Sequence, residues 1–407
     1  WFALPHQFAF LSLFYLQASV YNAVPLIVVN RERDHIVKKK RIYLENSIDE
    51  STWNDWKWQI ANRVSDFSQI MELTELTLPE TLAMEQGASF SLGITPYYTQ
   101  HVEHPALRKT IIPQETECRL NPGEWADPLG EEDHRVAPHL IHTYPDKVLF
   151  LATPFCSTYC RYCTRSRMVG KPHEHRSTFE ESFRYIEQHP DIRDVLISGG
   201  DPLTMTDAAL EEILQRLRRI PHVKLIRIGS KVPAVLPMRI TLALAKLLRR
   251  YRVWLSLHFI HEAELTEETR SACNLLSEQG VPMISQTVLL RDINDSSEAL
   301  TQLFYGLIQL DVKPYYLLQC DPVKGSAHFR TTVKKGIELI RSLHGNISGL
   351  AVPQYVIDAP GGGGKVPIIH SSQLTREGDD LLFENHEGKI YRYPDPLKVA
   401  YPDEVVS

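Results

Sequence analysis

Residues Val148-Leu149-Phe150-Leu151-Ala152-Thr153-Pro154-Phe155 lead without a break into Cys156-Ser157-Thr158-Tyr159-Cys160-Arg161-Tyr162-Cys163. The first half is a short, mostly apolar run, the pattern of a strand covered on both faces. The second half places three thiols at C-x3-C-x2-C spacing in what reads as the loop closing that strand. Five more runs of the same kind follow, at 194–198, 224–228, 253–259, 283–290 and 314–319. Amphipathic stretches at 207–219, 241–250, 266–279, 297–310 and 333–343 alternate with them. Such alternation predicts parallel βα units, and six in succession predict an α/β fold: a partial (β/α)6-type, TIM-like barrel. The polar and Gly-rich residues fall at the C-terminal ends of the strands, the catalytic face of a barrel.

Outward from this frame the chain divides into four parts. Residues 141–345 are the barrel itself. Residues 46–140 read as a helical region opening at Trp53-Asn54-Asp55-Trp56-Lys57-Trp58, capped by Ser51 or Thr52, followed by a Pro- and acid-rich wrapping connection over 113–138. Three Trp in six residues predict packing. Residues 346–407 hold a seventh apolar run at 350–357, a glycine-rich arm, and a small cap with strand character over 380–393. Residues 1–45 read as an upstream extension outside the catalytic fold. Residues 1–29 lack Lys, Arg, Asp and Glu, which makes a membrane anchor the alternative, but Pro5 and Pro25 interrupt them and no basic segment of a signal peptide leads in.

Composition narrows the class. Hydrophobic residues at 43% and charged residues at 23% fit a globular enzyme. The net charge of −6, with only Lys38-Lys39-Lys40-Arg41 as a basic run, argues against a nucleic-acid partner. Three of the six cysteines crowd into 156–163, whereas a disulfide framework would spread them in pairs. That crowding predicts a metal centre in a reducing, cytoplasmic setting. Cys118, Cys273 and Cys320 stand alone and read as ordinary thiols.

The three clustered thiols suit iron better than zinc. Structural zinc takes four protein ligands, and no fourth Cys or His lies close in sequence. A [4Fe–4S] cluster held by three thiolates instead leaves one iron open, which can chelate an incoming amino acid. Ser198-Gly199-Gly200-Asp201-Pro202 closes the second strand; its glycines admit a ligand to the backbone, and its acid can meet an ammonium. Gly361-Gly362-Gly363-Gly364-Lys365 lacks the spacing and following helix of a phosphate loop. It reads as a flexible arm presenting Lys365 as a Schiff-base lysine for pyridoxal phosphate (PLP), a plain surface loop being the competing reading.

The cysteine motif on the first strand's loop is the signature of the radical S-adenosylmethionine (SAM) superfamily, and the loop at Gly199–Asp201 resembles the one that holds the methionine amine of SAM. With Trp53-Asn54-Asp55-Trp56, Ile94-Thr95-Pro96-Tyr97-Tyr98, Ile228-Gly229-Ser230 and His328-Phe329-Arg330-Thr331, and with 156–167, 286–295, 314–321 and 358–365, the chain resembles the lysine 2,3-aminomutase family from about residue 53 to about residue 393. The resemblance implies that Cys156, Cys160 and Cys163 hold the [4Fe–4S] cluster, that Gly199, Gly200 and Asp201 bind SAM, and that Lys365 carries PLP. It implies that Arg165 grips the substrate carboxylate and that Asp321 and Asp358 receive the ε-ammonium of L-lysine. His258 and Gln286 match positions facing SAM and PLP, with packing as their competing reading. Two buried carboxylates are costly without a cation, so the acid pair itself argues for a cationic substrate.

Some positions depart from the family. Thr143 and Lys147 stand where relatives often carry basic residues near the PLP phosphate, and Leu318 stands where a tyrosine is common. The chain has no cysteine after Cys320, and Ser296 replaces the partner cysteine of a zinc motif found in several relatives. A homo-oligomer is expected without a zinc clasp.

The implied reaction converts L-lysine to β-lysine by 2,3-amino migration, through a PLP imine and a 5′-deoxyadenosyl radical, with a flavodoxin or ferredoxin as electron donor. Rivals are an aminomutase for arginine or another cationic amino acid, a radical SAM enzyme acting on RNA or peptide, and a non-catalytic cluster protein. The second predicts a basic groove, and the third predicts erosion of Arg165, Asp201, Asp321, Asp358 or Lys365; the sequence has neither.

Overall fold

The computed structural model describes residues 40–44, 46–87, 91–119, 121–171, 178–368, 375–378, 380–385 and 387–394. The apolar stretch 1–29 lies outside them. Among the described residues no helix is long and apolar enough to cross a membrane.

A hairpin of β1 (Lys40–Tyr43) and β2 (Asn46–Asp49) comes first, followed by short helices at Glu50–Trp53, Trp56–Ala61, Phe67–Leu73 and Leu78–Glu85. The first two are capped by Asp49 and Asp55, which accept from Thr52 N and Lys57 N, not by Ser51 or Thr52 as the sequence had indicated. A carboxylate just ahead of each helix takes the orphan amides and suits the positive end of the helix dipole. The tryptophans pack as expected: Trp53 is buried, and Trp58 lies 6.0 Å from the Tyr43 ring.

The main sheet has ten strands. In chain order these are β3 (Arg135–Ala137), β4 (Leu140–Tyr144), β5 (Lys147–Thr153), β6 (Asp194–Gly199), β7 (Leu225–Ser230), β8 (Val253–His258), β9 (Met283–Leu289), β10 (Val312–Gln319), β11 (Gln354–Ala359) and β12 (Gly364–Pro367), and their order in the sheet is the same. From β5 to β11 every neighbouring pair is parallel. The seventh apolar run thus joins the sheet, which holds seven parallel strands rather than six. β3 and β4 flank one side and β12 the other, all antiparallel. β3 and β12 are not paired to each other, so the barrel is open.

The helices match the sequence to within a residue or two, because each starts at a hydroxyl that accepts a backbone N–H: Thr206, Thr241, Thr266, Ser296 and Thr332. Their apolar stripes cover the outer face of the sheet around Val195, Ile197, Ile226, Ile228, Leu255 and Leu257. The small cap is a separate sheet of β13 (Thr375–Glu377), β14 (Asp380–Glu384) and β15 (Ile390–Pro394).

Two features bring the far edges of the open sheet together. The Tyr144 hydroxyl, at the end of β4, accepts a hydrogen bond from Lys365 N on β12 at 2.6 Å. The wrapping connection reaches the same hairpin, since Gly361 N donates to Pro128 O at 2.9 Å. The glycine run is therefore no free arm. Gly361 and Gly362, at φ of 74° and 87°, make the turn of a β11–β12 hairpin, and Lys365 sits on a strand opposite Asp358.

Candidate active site

The concave face of the sheet encloses a cavity of about 820 Å³. Cys156, Cys160, Cys163, Arg165, Gly199, Gly200, Asp201, His258, Gln286, Asp321, Asp358 and Lys365 all line it. Every side chain singled out in the sequence for chemistry therefore faces one space. The period-two alternation explains this: with Val195, Ile197, Ile226 and Ile228 turned outward, Leu196, Ser198, Arg227 and Gly229 turn inward.

The cysteine loop leaves β5 and is braced from the N-terminal region. The Arg63 guanidinium donates to Cys156 O at 2.6 Å and lies 4.3 Å from the Phe155 ring and 5.3 Å from the Tyr159 ring. Tyr159 N donates to Gly93 O and Arg161 N to Thr110 O, while buried Arg161 forms an ion pair with the largely covered Glu117. All three thiols are unpaired. Burial pushes each of them up, Cys163 to about 11. Among the described residues no three potential ligands are close enough for a single ion. Three thiolates on one loop are the donors that a four-iron cluster takes when one of its irons stays open, so the donor set fits it.

Against this loop lies the turn at the end of β6. Gly199 has φ of 132°, and a Cβ there would run into the Thr153 carbonyl; a Cβ on Gly200 would strike the backbone of Phe155. Only glycine lets the two loops meet. Asp201 is buried, and its carboxylate accepts from Ser230 Oγ at 2.7 Å, Lys231 N at 2.7 Å and Leu203 N at 3.1 Å. It therefore braces the turn as well as lining the cavity.

His258 and Gln286 are neighbours on β8 and β9. The His258 Nε2 is 2.9 Å from the Tyr162 hydroxyl, and burial followed by the Lys231 charge pushes its pKa down to about 3, so it is a neutral imidazole.

The remaining charges divide into two groups. Lys365 Nζ donates to both oxygens of Asp358, at 2.9 and 2.7 Å. Asp321 shares this neighbourhood: burial and then the Asp358 charge raise its pKa to about 7, against the pull of Lys365 and Arg165. Arg165 donates through Nε and Nη2 to Glu131 at 2.8 and 2.7 Å, and through Nη1 to Ser198 Oγ at 3.2 Å. Three of its five N–H groups are thus committed, leaving one on Nη1 and one on Nη2 for a carboxylate.

The sequence reading missed Glu131 because it treated 113–138 as a mere connection. The available signal was an acid after Asp127-Pro128-Leu129-Gly130, a turn-forming context with no other evident purpose. It also missed Tyr144, Tyr162 and Lys231, which only the fold brings to the cavity.

A PLP-sized group fits the same space. The Lys365 amine opens into it, and Lys147 and Arg227 line it with cations suited to a phosphate, although Lys147 Nζ lies over the Tyr144 ring at 4.3 Å and Arg227 is paired with Asp194. Thr143 also lines the cavity and adds a hydroxyl.

Seven parallel strands with three cysteines after the first define the class, a radical SAM enzyme, and the family model "Radical SAM superfamily" matches residues 150–304. A second model, "Lysine-2,3-aminomutase", matches residues 340–405, the part that contains the Lys365 strand. The chain is 42% identical to the L-lysine 2,3-aminomutase of Clostridium subterminale over 366 residues, 88% of each chain. It is 42% identical to that of Bacillus subtilis over 88% of this chain and 78% of the relative. It is also 37% identical to the glutamate 2,3-aminomutase of Clostridioides difficile, over 88% of this chain and 86% of the relative. The chain belongs to the lysine 2,3-aminomutase family, radical SAM isomerases that work with a [4Fe–4S] cluster, SAM and PLP.

Proposed function

We propose that this enzyme interconverts L-lysine and β-lysine by moving the amino group between C2 and C3. The observation that carries the substrate assignment is the acid pair Asp321 and Asp358 in the same cavity as Arg165. Relatives act on lysine or on glutamate. A glutamate side chain would bring a third carboxylate to that pair, whereas an ε-ammonium neutralises it.

Cys156, Cys160 and Cys163 would hold the cluster, the turn at Gly199, Gly200 and Asp201 would hold SAM, and Lys365 would bind PLP. When bound, these cofactors supply the radical and the means of stabilising it. The chain's own residues orient and exclude. Arg165 takes the α-carboxylate on its free end, and Asp321 and Asp358 take the ε-ammonium. Asp358 is released from its ion pair when Lys365 takes the cofactor. Neutral His258, tied to Tyr162, adds no charge beside the reacting carbons. The enclosing sheet keeps water from them.

With this reading go a cytoplasmic location, a flavodoxin or ferredoxin as electron donor, and a homo-oligomer without a zinc clasp. The decisive experiment is anaerobic incubation of reconstituted protein with SAM, PLP, reductant and either L-lysine or L-arginine, with borohydride labelling of Lys365. β-Lysine as the main product is expected. No β-lysine, together with no label on Lys365, would sink the proposal; β-arginine as main product would move the substrate to the larger cation.

A further inference from the structure

Glu131 is a buried acid, 4% exposed, in a segment the catalytic assignment leaves unused. Its Oε1 accepts from Arg165 Nε at 2.8 Å and pairs with Nη2 at 2.7 Å, and its Oε2 accepts from Arg167 Nη2 at 3.0 Å. Arg167 in turn reaches Asp127 Oδ1 at 3.3 Å, so the segment is gripped at two points. The same segment is seated on the lysine hairpin. Gly130, at φ of 61°, packs so closely that a Cβ would stand 2.8 Å from the Gly361 carbonyl carbon, and His134 fills the space beside Gly362. Glu131 is therefore fixed relative to Lys365 as well as to Arg165.

The cavity holds a conflict that this arrangement resolves. Arg165, Asp321 and Asp358 all line it, so the roles proposed above put a guanidinium and two carboxylates in one space. Left free, a long guanidinium side chain in a low-dielectric cavity would pair with those acids, and both ends of the substrate would lose their sites at once. Burial alone would raise the Glu131 carboxyl, but Arg165 and Arg167 beside it hold it below the usual carboxylate range, so it stays charged.

We propose that Glu131 is a positioning residue that holds the Arg165 guanidinium away from Asp321 and Asp358, keeping separate sites for the carboxylate and the ammonium of a zwitterionic substrate. This rests on the roles given to those three residues above. It goes further in predicting that loss of Glu131 weakens ligands which never touch Arg165.

The test uses the full chain loaded with PLP and measures dissociation constants for L-lysine and for 1,5-diaminopentane, which lacks the carboxylate, by calorimetry. Glu131→Gln is expected to weaken both about tenfold and to raise KM more than it lowers kcat. Glu131→Asp should recover most of that loss. In an Arg165→Met background, Glu131→Gln should leave diamine binding unchanged, because the proposed effect of Glu131 on the two acids runs through Arg165. The inference is overturned if Glu131→Gln spares the diamine, or if its effect persists without Arg165, which would assign Glu131 to general structure. The Arg165→Met pair decides the matter even where Glu131→Gln alone folds poorly. A wild-type protein that binds neither ligand overturns the functional reading and this inference together; one that binds both, unchanged by Glu131→Gln, overturns this inference alone.

Discussion

Asp321 shows how a single residue's surroundings set its chemistry. Burial and the neighbouring Asp358 hold its carboxyl up at about 7, so it is largely neutral below that pH and charged above it. An ammonium ligand favours the charged form, so binding below pH 7 must release a proton. L-Lysine affinity should therefore rise as pH increases toward 7, and calorimetry at about pH 6 in buffers of different ionisation enthalpy should report that release. Asp321→Asn should abolish it and flatten the pH dependence. A wild-type affinity that does not change between about pH 6 and pH 8 would remove Asp321 from the ammonium site. Lys365 and Asp358 illustrate the same point from the other side: their ion pair follows from facing positions on β11 and β12.

At the scale of elements, the close approach of two loops shapes one end of the cavity. The turn after β6 lies against the loop after β5 because Gly199 and Gly200 lack side chains. Gly199→Ala adds a Cβ in a backbone conformation that costs about 1–3 kcal/mol for other residues, and drives it into the Thr153 carbonyl. A clear drop in thermal midpoint and weakened SAM binding are expected. Gly349→Ala, where a Cβ would meet open space, should melt like the parent. Equal melting of the two variants would show that the loops can separate cheaply. The cysteine loop depends on elements distant in sequence in a similar way, being held by Arg63, Gly93 and Thr110 of the N-terminal region. That region is thus a brace for the cysteine loop.

At the scale of the whole molecule, the open sheet leaves its curvature to side chains. Closed barrels lock their shape with a continuous backbone ladder. Here β12 meets β4 through the Tyr144 hydroxyl and meets the 127–134 segment through Pro128 and Gly130. Tyr144→Phe removes one hydrogen bond, worth about 0.5–1.5 kcal/mol, so global unfolding should shift little. Local opening should change more, and hydrogen exchange should quicken at the Lys365 amide and along β12 while the central strands β7 and β8 stay protected. Uniform exchange across the sheet in the variant would mean that the edge contact is not what seats the lysine.

The sequence determined the alternation, because period-two strands and period-3.6 helices are local patterns that backbone geometry enforces. The C-x3-C-x2-C spacing on a strand-end loop was legible in the same way, since three thiols in eight residues state a ligand type and a place for it. The run of glycines before Lys365 was legible as a special backbone, but its form was not: an arm and a tight hairpin use the same residues, and only pairing with β11 chose between them. Asp201 was legible as an acid beside glycines, yet its hydrogen bonds to Ser230 and Lys231 come from the next strand. Glu131 was marked in the sequence only by the turn before it, and its role was hidden for the same reason. Its meaning lies in Arg165, 34 positions away, and in a hairpin further off still. Residue types and local spacing are written along the chain, whereas which charges share a buried space is decided only when distant segments fold against each other.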